Sequence, residues 1–262
     1  MDHGQDADSL KPVCEVNPDI AYIKSYFTDS WRIVASPARW NSKQWIAATA
    51  VAGAGVLAYW QDDEIRDLFQ RNTGDHLDKA TEYFFEPLGR GYVCLSVAAG
   101  LYLSGELGKR KKLKETGLAA FKSVVLTSVF TYAIKYATQR HGPQADYPAD
   151  PRMWEGPFGT YTHNSFPSGH SAAIFALASV ISTAYKEKIW IPIMSYTLAS
   201  LSAMSRIYED EHWSSDVIIG SALGFAIGKL VYKSTINCPD LVMIPGISPT
   251  GQPGFTFLYR MR

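Results

Sequence analysis

Apolar residues in this chain gather into long uncharged runs rather than alternating with polar ones, a pattern that predicts helices and not strands. The first run lies between Lys43 and Asp62 and contains WIAATAVAGAGVLAYW, whose small residues suit close helix packing. Others cover 91–105, 116–135 (broken by Lys122), 171–185, 189–205 and 217–232 (broken by Lys229). Six helical segments are therefore expected, within a domain over 42–234. A lead segment over 1–41 precedes it, and a Pro-rich tail over 235–262 follows. Each run is nearer fifteen residues than the ~20 that cross a bilayer core. Length alone thus suits both a membrane bundle and the buried helices of a soluble all-α domain.

Charge placement favours the membrane. Lys24, Arg32, Arg39 and Lys43 precede the first segment, whereas Asp62, Asp63, Glu64, Asp67, Asp75, Asp78, Glu82 and Glu86 follow it. Basic residues return after the second segment (Lys109, Arg110, Lys111, Lys112, Lys114), the fourth (Lys186, Lys188) and the sixth (Lys233, Arg260, Arg262). Short cytoplasmic loops collect Lys and Arg, so these connections are assigned to the cytoplasm. The third connection, 141–166, and the fifth are assigned to the outside. The tail's closing alternation, GFTFLYRMR, fits a short strand or an interfacial anchor.

Composition narrows the partners. With 25 Lys plus Arg against 25 Asp plus Glu, the 262-residue chain carries no net charge, which argues against nucleic-acid binding. Charged residues are 19% and aromatics 13%, a membrane-leaning mix, although the mean hydropathy is only −0.09. Cys14, Cys94 and Cys238 share no close spacing and read as ordinary thiols. The first fifteen residues are polar and acidic, so no cleavable signal peptide is expected there. No metal-ligand cluster is evident, and membrane lipids are the expected surroundings. Oligomeric state is left open.

Nearly every unusual residue falls in the two outer connections. Lys135 ends the third segment and is followed by Arg140, His141, Gly142 and Pro143. Two cations at an apolar helix end suggest an anionic ligand; a Lys snorkelling to the interface is the plainer alternative. Pro167, Ser168, Gly169 and His170 open the fourth segment. Pro fits a first helical turn, and free N–H groups at a helix start cradle phosphate. Ser168 alone would be an ordinary cap, but His170 adds a proton donor that works near neutral pH. Arg206, His212 and Asp216 span the fifth connection. Four residues apart, His212 and Asp216 share a helix face, so the carboxylate is placed to accept from one ring nitrogen and leave the other as a nucleophile.

Pro167-Ser168-Gly169-His170 and Ser205-Arg206-x5-His212-x3-Asp216 resemble the second and third motifs of the type 2 phosphatidic acid phosphatase family, whose superfamily includes vanadium haloperoxidases. The first motif departs from the pattern Lys-x6-Arg-Pro: Lys135 is followed seven places later by Gly142, not arginine. The resemblance implies a six-helix membrane bundle and a metal-independent phosphatase that hydrolyses a lipid phosphate or diphosphate through phosphohistidine, without a cofactor. It implies His212 as nucleophile, Asp216 as its orienting partner and His170 as general acid. Lys135, Ser168, Gly169 and Arg206 would bind phosphate, and Arg140 is expected to supply the missing cation. The implied setting is a bacterial inner membrane, with the site facing the periplasm or exterior. A soluble or peripheral acid phosphatase of the same superfamily, a vanadate-dependent haloperoxidase and a non-catalytic lipid-phosphate binder are the rivals.

Overall fold

A computed structural model describes residues 16–159, 163–236, 241–247 and 253–259, the last two stretches at the level of their backbone. Six helices follow the apolar runs: α2 (Ser42–Trp60), α6 (Gly91–Leu107), α7 (Lys111–Thr138), α8 (Gly169–Ala184), α9 (Trp190–Tyr208) and α10 (Ser214–Ile236). Four helices that the hydrophobic pattern did not announce accompany them: α1 (Ile20–Ala35), α3 (Asp62–Arg71), α4 (Asp75–Ala80) and α5 (Glu86–Gly89). A π-helical turn, Thr81–Phe85, joins α4 to α5. Near the C-terminus, Leu241–Ile247 and Pro253–Tyr259 pair as an antiparallel hairpin. Cys14 and Cys238 lie outside the described residues, and Cys94 is a buried free thiol.

Local chemistry sets the helix starts. Asp19 caps α1 by accepting from the Tyr22 N–H at 2.8 Å. Asn41 and Gln44 cap α2 reciprocally, each side chain accepting from the other's backbone N–H at 3.0 and 2.9 Å. The α8 helix begins at Gly169 with Ser168 as its cap, so Pro167 precedes the cap and is not in the first turn as the sequence suggested.

Helices α7, α8 and α10 form the centre, flanked by α6, α9 and α2. Small residues allow the close approach. Gly220, Gly224 and Gly228 recur every four residues on α10, where an added Cβ would collide with the backbone of Ser168, Ala172 and Ala176. This glycine row holds α10 against the start of α8, fixing the element that carries Asp216 beside the one that carries Ser168 and His170. The core around it is built from Ala119, Ala120, Val124, Ala173, Leu177, Ala178 and Val180. Lys122, the charge inside the third apolar run, is buried but paired with Asp29 of α1 at 2.7 Å. That bridge ties the lead segment to the bundle.

The outward faces are apolar. Trp45, Ile46, Val56, Leu57 and Trp60 of α2, Val129, Tyr132 and Tyr136 of α7, and Trp190, Ile193 and Met194 of α9 are each half or more exposed. Among the described residues, two helices, α7 and α10, are long and apolar enough to cross a membrane; α6 and α8 are apolar but shorter.

Candidate active site

Lys135 sits buried in the last turn of α7, its Nζ donating to the carbonyl oxygens of Asn164 and, at 3.4 Å, Ser165. Gln139 then takes a left-handed conformation (φ 44°) and ends the helix. The chain turns away, and Arg140 bridges to Trp154 instead of continuing the helical face of Lys135. The loop returns at Ser165, whose N–H donates to the Arg140 carbonyl at 2.9 Å. Ser168 is buried, with its N–H on the Asp216 carbonyl at 3.0 Å. A side chain at Gly169 would meet only Lys135 and Thr131, at 3.8 and 3.9 Å, so the backbone there is open to approach.

His212 and Asp216 are brought together, but not in direct contact. His212 Nδ1 is 3.8 Å from Asp216 Oδ2, beyond hydrogen-bond range. The Ser165 hydroxyl stands between them, 3.1 Å from Nδ1 and 2.6 Å from Oδ2. An ionised carboxylate only accepts, so Ser165 donates to Asp216 and accepts from Nδ1–H. The Nε2 of His212 is thereby left with its lone pair. Burial is the main cause that pushes the His212 pKa below the ordinary imidazole value; Lys135 and Arg206 push the same way, and Asp216 opposes them.

Arg206, in the last turn of α9, pairs with Glu209, lies 3.9 Å from Glu86 Oε1, and keeps a buried Nε without a partner. His170 Nε2 is 3.1 Å from the same Glu86 oxygen, which also accepts from Arg90 Nε at 2.8 Å. Burial raises the Glu209 carboxyl above the usual range. Burial is also the largest influence on Glu86 and raises it, but Arg90, Arg206 and His170 together hold its pKa below the usual value. A cleft of about 200 Å³ opens between Gly142, His163, Asn164, Ser165, Glu211 and His212.

Arg140 corrects the expectation that it binds substrate. It is fully buried, and all five N–H groups are taken: Nε by the Pro151 carbonyl (3.0 Å), NH1 by Ser215 Oγ (2.7 Å) and Asp216 Oδ1 (2.5 Å), and NH2 by Asp62 Oδ2 (2.8 Å) and the Pro151 carbonyl (2.8 Å). Its plane lies among the rings of Tyr59, Trp154 and Trp213. No donor is left for a phosphate; the guanidinium instead braces Asp216. Asp62, from the start of α3, completes this support by accepting from Ser214 Oγ, Ser215 N–H and Ser215 Oγ at 2.6, 3.0 and 2.6 Å.

Ser165, Asp62, Glu86 and Glu209 escaped the sequence reading, because no spacing marks them. Their partners are distant in the chain or, for Glu209, look like any surface i,i+3 pair. The fold also brings side-chain atoms of His141, Glu155 and His163 within 4.8 Å of one another, a grouping the sequence did not announce. They come from the start, middle and end of one loop.

The sequence model of the PAP2 superfamily matches residues 116–239, which include every motif residue above. The lipid A 1-phosphatase of Porphyromonas gingivalis is 43% identical over 70 residues, 26% of this chain and 16% of that protein. The undecaprenyl-diphosphatase of Sulfolobus acidocaldarius is 28% identical over 151 residues, 56% of this chain and 66% of that protein. The matches thus span less than two thirds of these relatives' lengths. A crystal structure of Aquifex aeolicus LpxE aligns with TM-score 0.48 and 26% identity, over 65% of this chain and 93% of that one.

Proposed function

Because the PAP2 superfamily model matches residues 116–239, we propose that the chain belongs to that superfamily and is a phosphatase acting on a lipid phosphate or diphosphate. The observation that carries this reading is the relay from His212 Nδ1 through Ser165 to Asp216, which leaves Nε2 as a free nucleophile at the cleft. Nε2 attacks phosphorus and forms an N–P bond while the bond to the leaving oxygen breaks. His170, whose Nε2 stands 3.1 Å from Glu86, delivers a proton to that oxygen. Water then attacks phosphohistidine, releasing phosphate and restoring His212. Lys135, Arg206 with its open Nε, the Ser168 cap and the Gly169 N–H neutralise the equatorial oxygens as charge develops. Arg140 and Asp62 act behind the site as positioning residues. No step uses a metal.

Lipid substrates fit the exposed Trp, Ile, Leu and Met side chains of α2 and α9. The superfamily members named for lipid A and undecaprenyl diphosphate point the same way. The six long helices are proposed to lie in the membrane, with the 109–114 connection in the cytoplasm and the 141–166 loop opposite, in a bacterial inner membrane. Phosphate release from a panel of lipid phosphates and diphosphates by the detergent-purified chain tests the activity; equal release by His212→Ala protein would overturn it. Single cysteines in the two connections, labelled from outside intact cells on a cysteine-free background, test orientation. Labelling of the basic connection alone would reverse it. Release of the wild-type chain from membranes by carbonate would instead mark a peripheral enzyme.

A further inference from the structure

Among the described residues, nothing covers an apolar stripe on α1. Ile20, Ile23, Phe27, Trp31 and Val34 are 58–78% exposed. On a helix turning about 100° per residue they fall within an arc of about 80°. The opposite side faces the bundle: Tyr26 and Ile33 pack against the cluster of Leu126, Ile227 and Val231, and Asp29 pairs with buried Lys122 at 2.7 Å. Lys24, Thr28 and Arg32 are exposed between these two sides and make the third side polar and basic. The buried ion pair fixes the rotation of α1 about its own axis, so the stripe is held away from the core.

Depth and charge point to the same cover for the stripe. The α7 helix has 28 residues, so it is about 42 Å long, whereas a hydrocarbon core is ~30 Å thick. Placing its Lys135 end at the outer boundary leaves about 12 Å, roughly eight residues, at the cytoplasmic end, and the inner boundary falls near Leu118. The α1 helix meets α7 at this level. Tyr22 Oη donates to the Leu118 carbonyl at 2.8 Å, and Lys122 Nζ donates to Ser25 Oγ at 3.0 Å. One turn nearer the cytoplasm, Lys114 Nζ donates to Asn17 Oδ1 at 2.7 Å. Beyond α1, the rings of Trp40 and Trp45 meet edge to face at 5.0 Å, and such amphipathic rings gather at headgroup level. Given the membrane placement proposed above for the bundle, we propose that α1 is an interfacial helix of the cytoplasmic leaflet. Its stripe enters the acyl-chain region, and Lys24 and Arg32 reach the anionic headgroups of that boundary. Pinned through Lys122, it sets the depth and tilt of α7 and thereby the height of Lys135 at the other end.

The test uses the full chain carrying Cys14→Ala, Cys94→Ala and Cys238→Ala, reconstituted in vesicles of phosphatidylcholine and phosphatidylglycerol. Phe27→Cys on the stripe, Thr28→Cys on the polar side and Leu57→Cys on the outward face of α2 are each labelled with bimane; all three positions are exposed, so the fold tolerates them. Fluorescence is quenched either by lipid with a doxyl group on its acyl chain or by iodide present on both sides of the bilayer. Doxyl lipid should quench position 27 about as strongly as position 57, and iodide should quench position 28 several-fold more than position 27. Quenching of position 27 by iodide and not by doxyl lipid would overturn the proposal. Shielding of position 27 from both quenchers would also overturn it, because a second copy or another part of the chain then covers the stripe. Failure at position 27 with position 57 quenched by doxyl lipid removes α1 alone from the membrane, whereas failure at both positions overturns the membrane placement of the bundle as well.

Discussion

Replacing Arg140 with methionine keeps a stem of similar reach and deletes the guanidinium that lies between Asp62 and Asp216, both fully buried. Each carboxylate would lose its cation. Removing one partner from a buried pair costs about 3–5 kcal/mol, because the remaining charge is stranded. For a chain of this size each kcal/mol lowers the thermal midpoint by roughly 2–4 °C, so a fall of about 6–20 °C is expected. Asp216 also loses the support that holds Ser165 and His212, and turnover below the melting range should drop about 10–100-fold. The ceiling is the ~10⁴-fold loss seen when a triad carboxylate stops orienting its histidine. Competitive inhibition by inorganic phosphate separates this reasoning from direct substrate binding. A guanidinium on the phosphate would contribute ~3 kcal/mol, so its loss would weaken phosphate about a hundredfold and leave the melt nearly unchanged. With all five N–H groups turned inward, the reverse is expected: a lowered melt and an inhibition constant within about threefold of wild type. Adding Asp62→Asn removes one stranded charge and should recover part of the midpoint. Weak phosphate inhibition with an unshifted melt would refute the positioning role.

His212→Ala should abolish turnover and any acid-labile phosphoenzyme, read by phosphate release and by acid-quench labelling; His170→Ala should slow phosphoenzyme formation most with poor leaving groups. Gly142→Arg should place a cation at the cleft, since its Cβ would meet Glu211 O and Ser165 Oγ at 3.4 and 3.6 Å without collision; vanadate inhibition should tighten about tenfold or more by restoring one charge-assisted contact. Because burial lowers the His212 pKa below that of an unfolded histidine, the native ring stays neutral where the unfolded one gains a proton. Its contribution to stability is therefore complete above the ordinary imidazole value of ~6.5 and is lost as pH falls toward and through the lowered native pKa. Turnover should keep its plateau to below pH ~6.5 before an acid fall, and a kcat profile that already falls at the ordinary value would contradict this environment.

The residues proposed to react were legible because the chemistry proposed for them needs fixed spacing along the chain or at a helix start. Ser168 caps α8 as its position before an apolar run implied, whereas His212 lies in the connection two residues before α10 and shares no helix face with Asp216 of its first turn. What joins them was not legible. Ser165 comes from the loop that precedes α8, and only the path of that loop over Arg140 brings its hydroxyl between the two side chains. Arg140 misled because a cation at the same helix end as Lys135 was expected to reach the same anion. A single left-handed residue, Gln139, ends the helix before it, and the guanidinium turns inward. Each of the six apolar runs became a helix, but the count of six fell short: α1, 16 residues like α8, was not announced, and α3 and α5 are too polar or too short to stand out by hydrophobic pattern.

Those less visible helices supply charges that the motif-bearing helices cannot provide. Arg140 is buried against two carboxylates, and only Asp216 lies within residues 116–239; the other, Asp62, comes from α3. His170 and Arg206 likewise meet Glu86 of α5. The α3 helix is held to the His212 connection by Arg66, whose guanidinium makes two hydrogen bonds to Asp210 at 2.6 and 2.7 Å. Without α3, Arg140 would keep one carboxylate for a full buried charge, and the first turn of α10 would lose the acceptor for Ser214 and Ser215. Buried charge is tolerated only as a balanced set. The 116–239 segment therefore depends electrostatically on elements that come before it in the sequence, and the site is a property of α3, α5 and the helix bundle together.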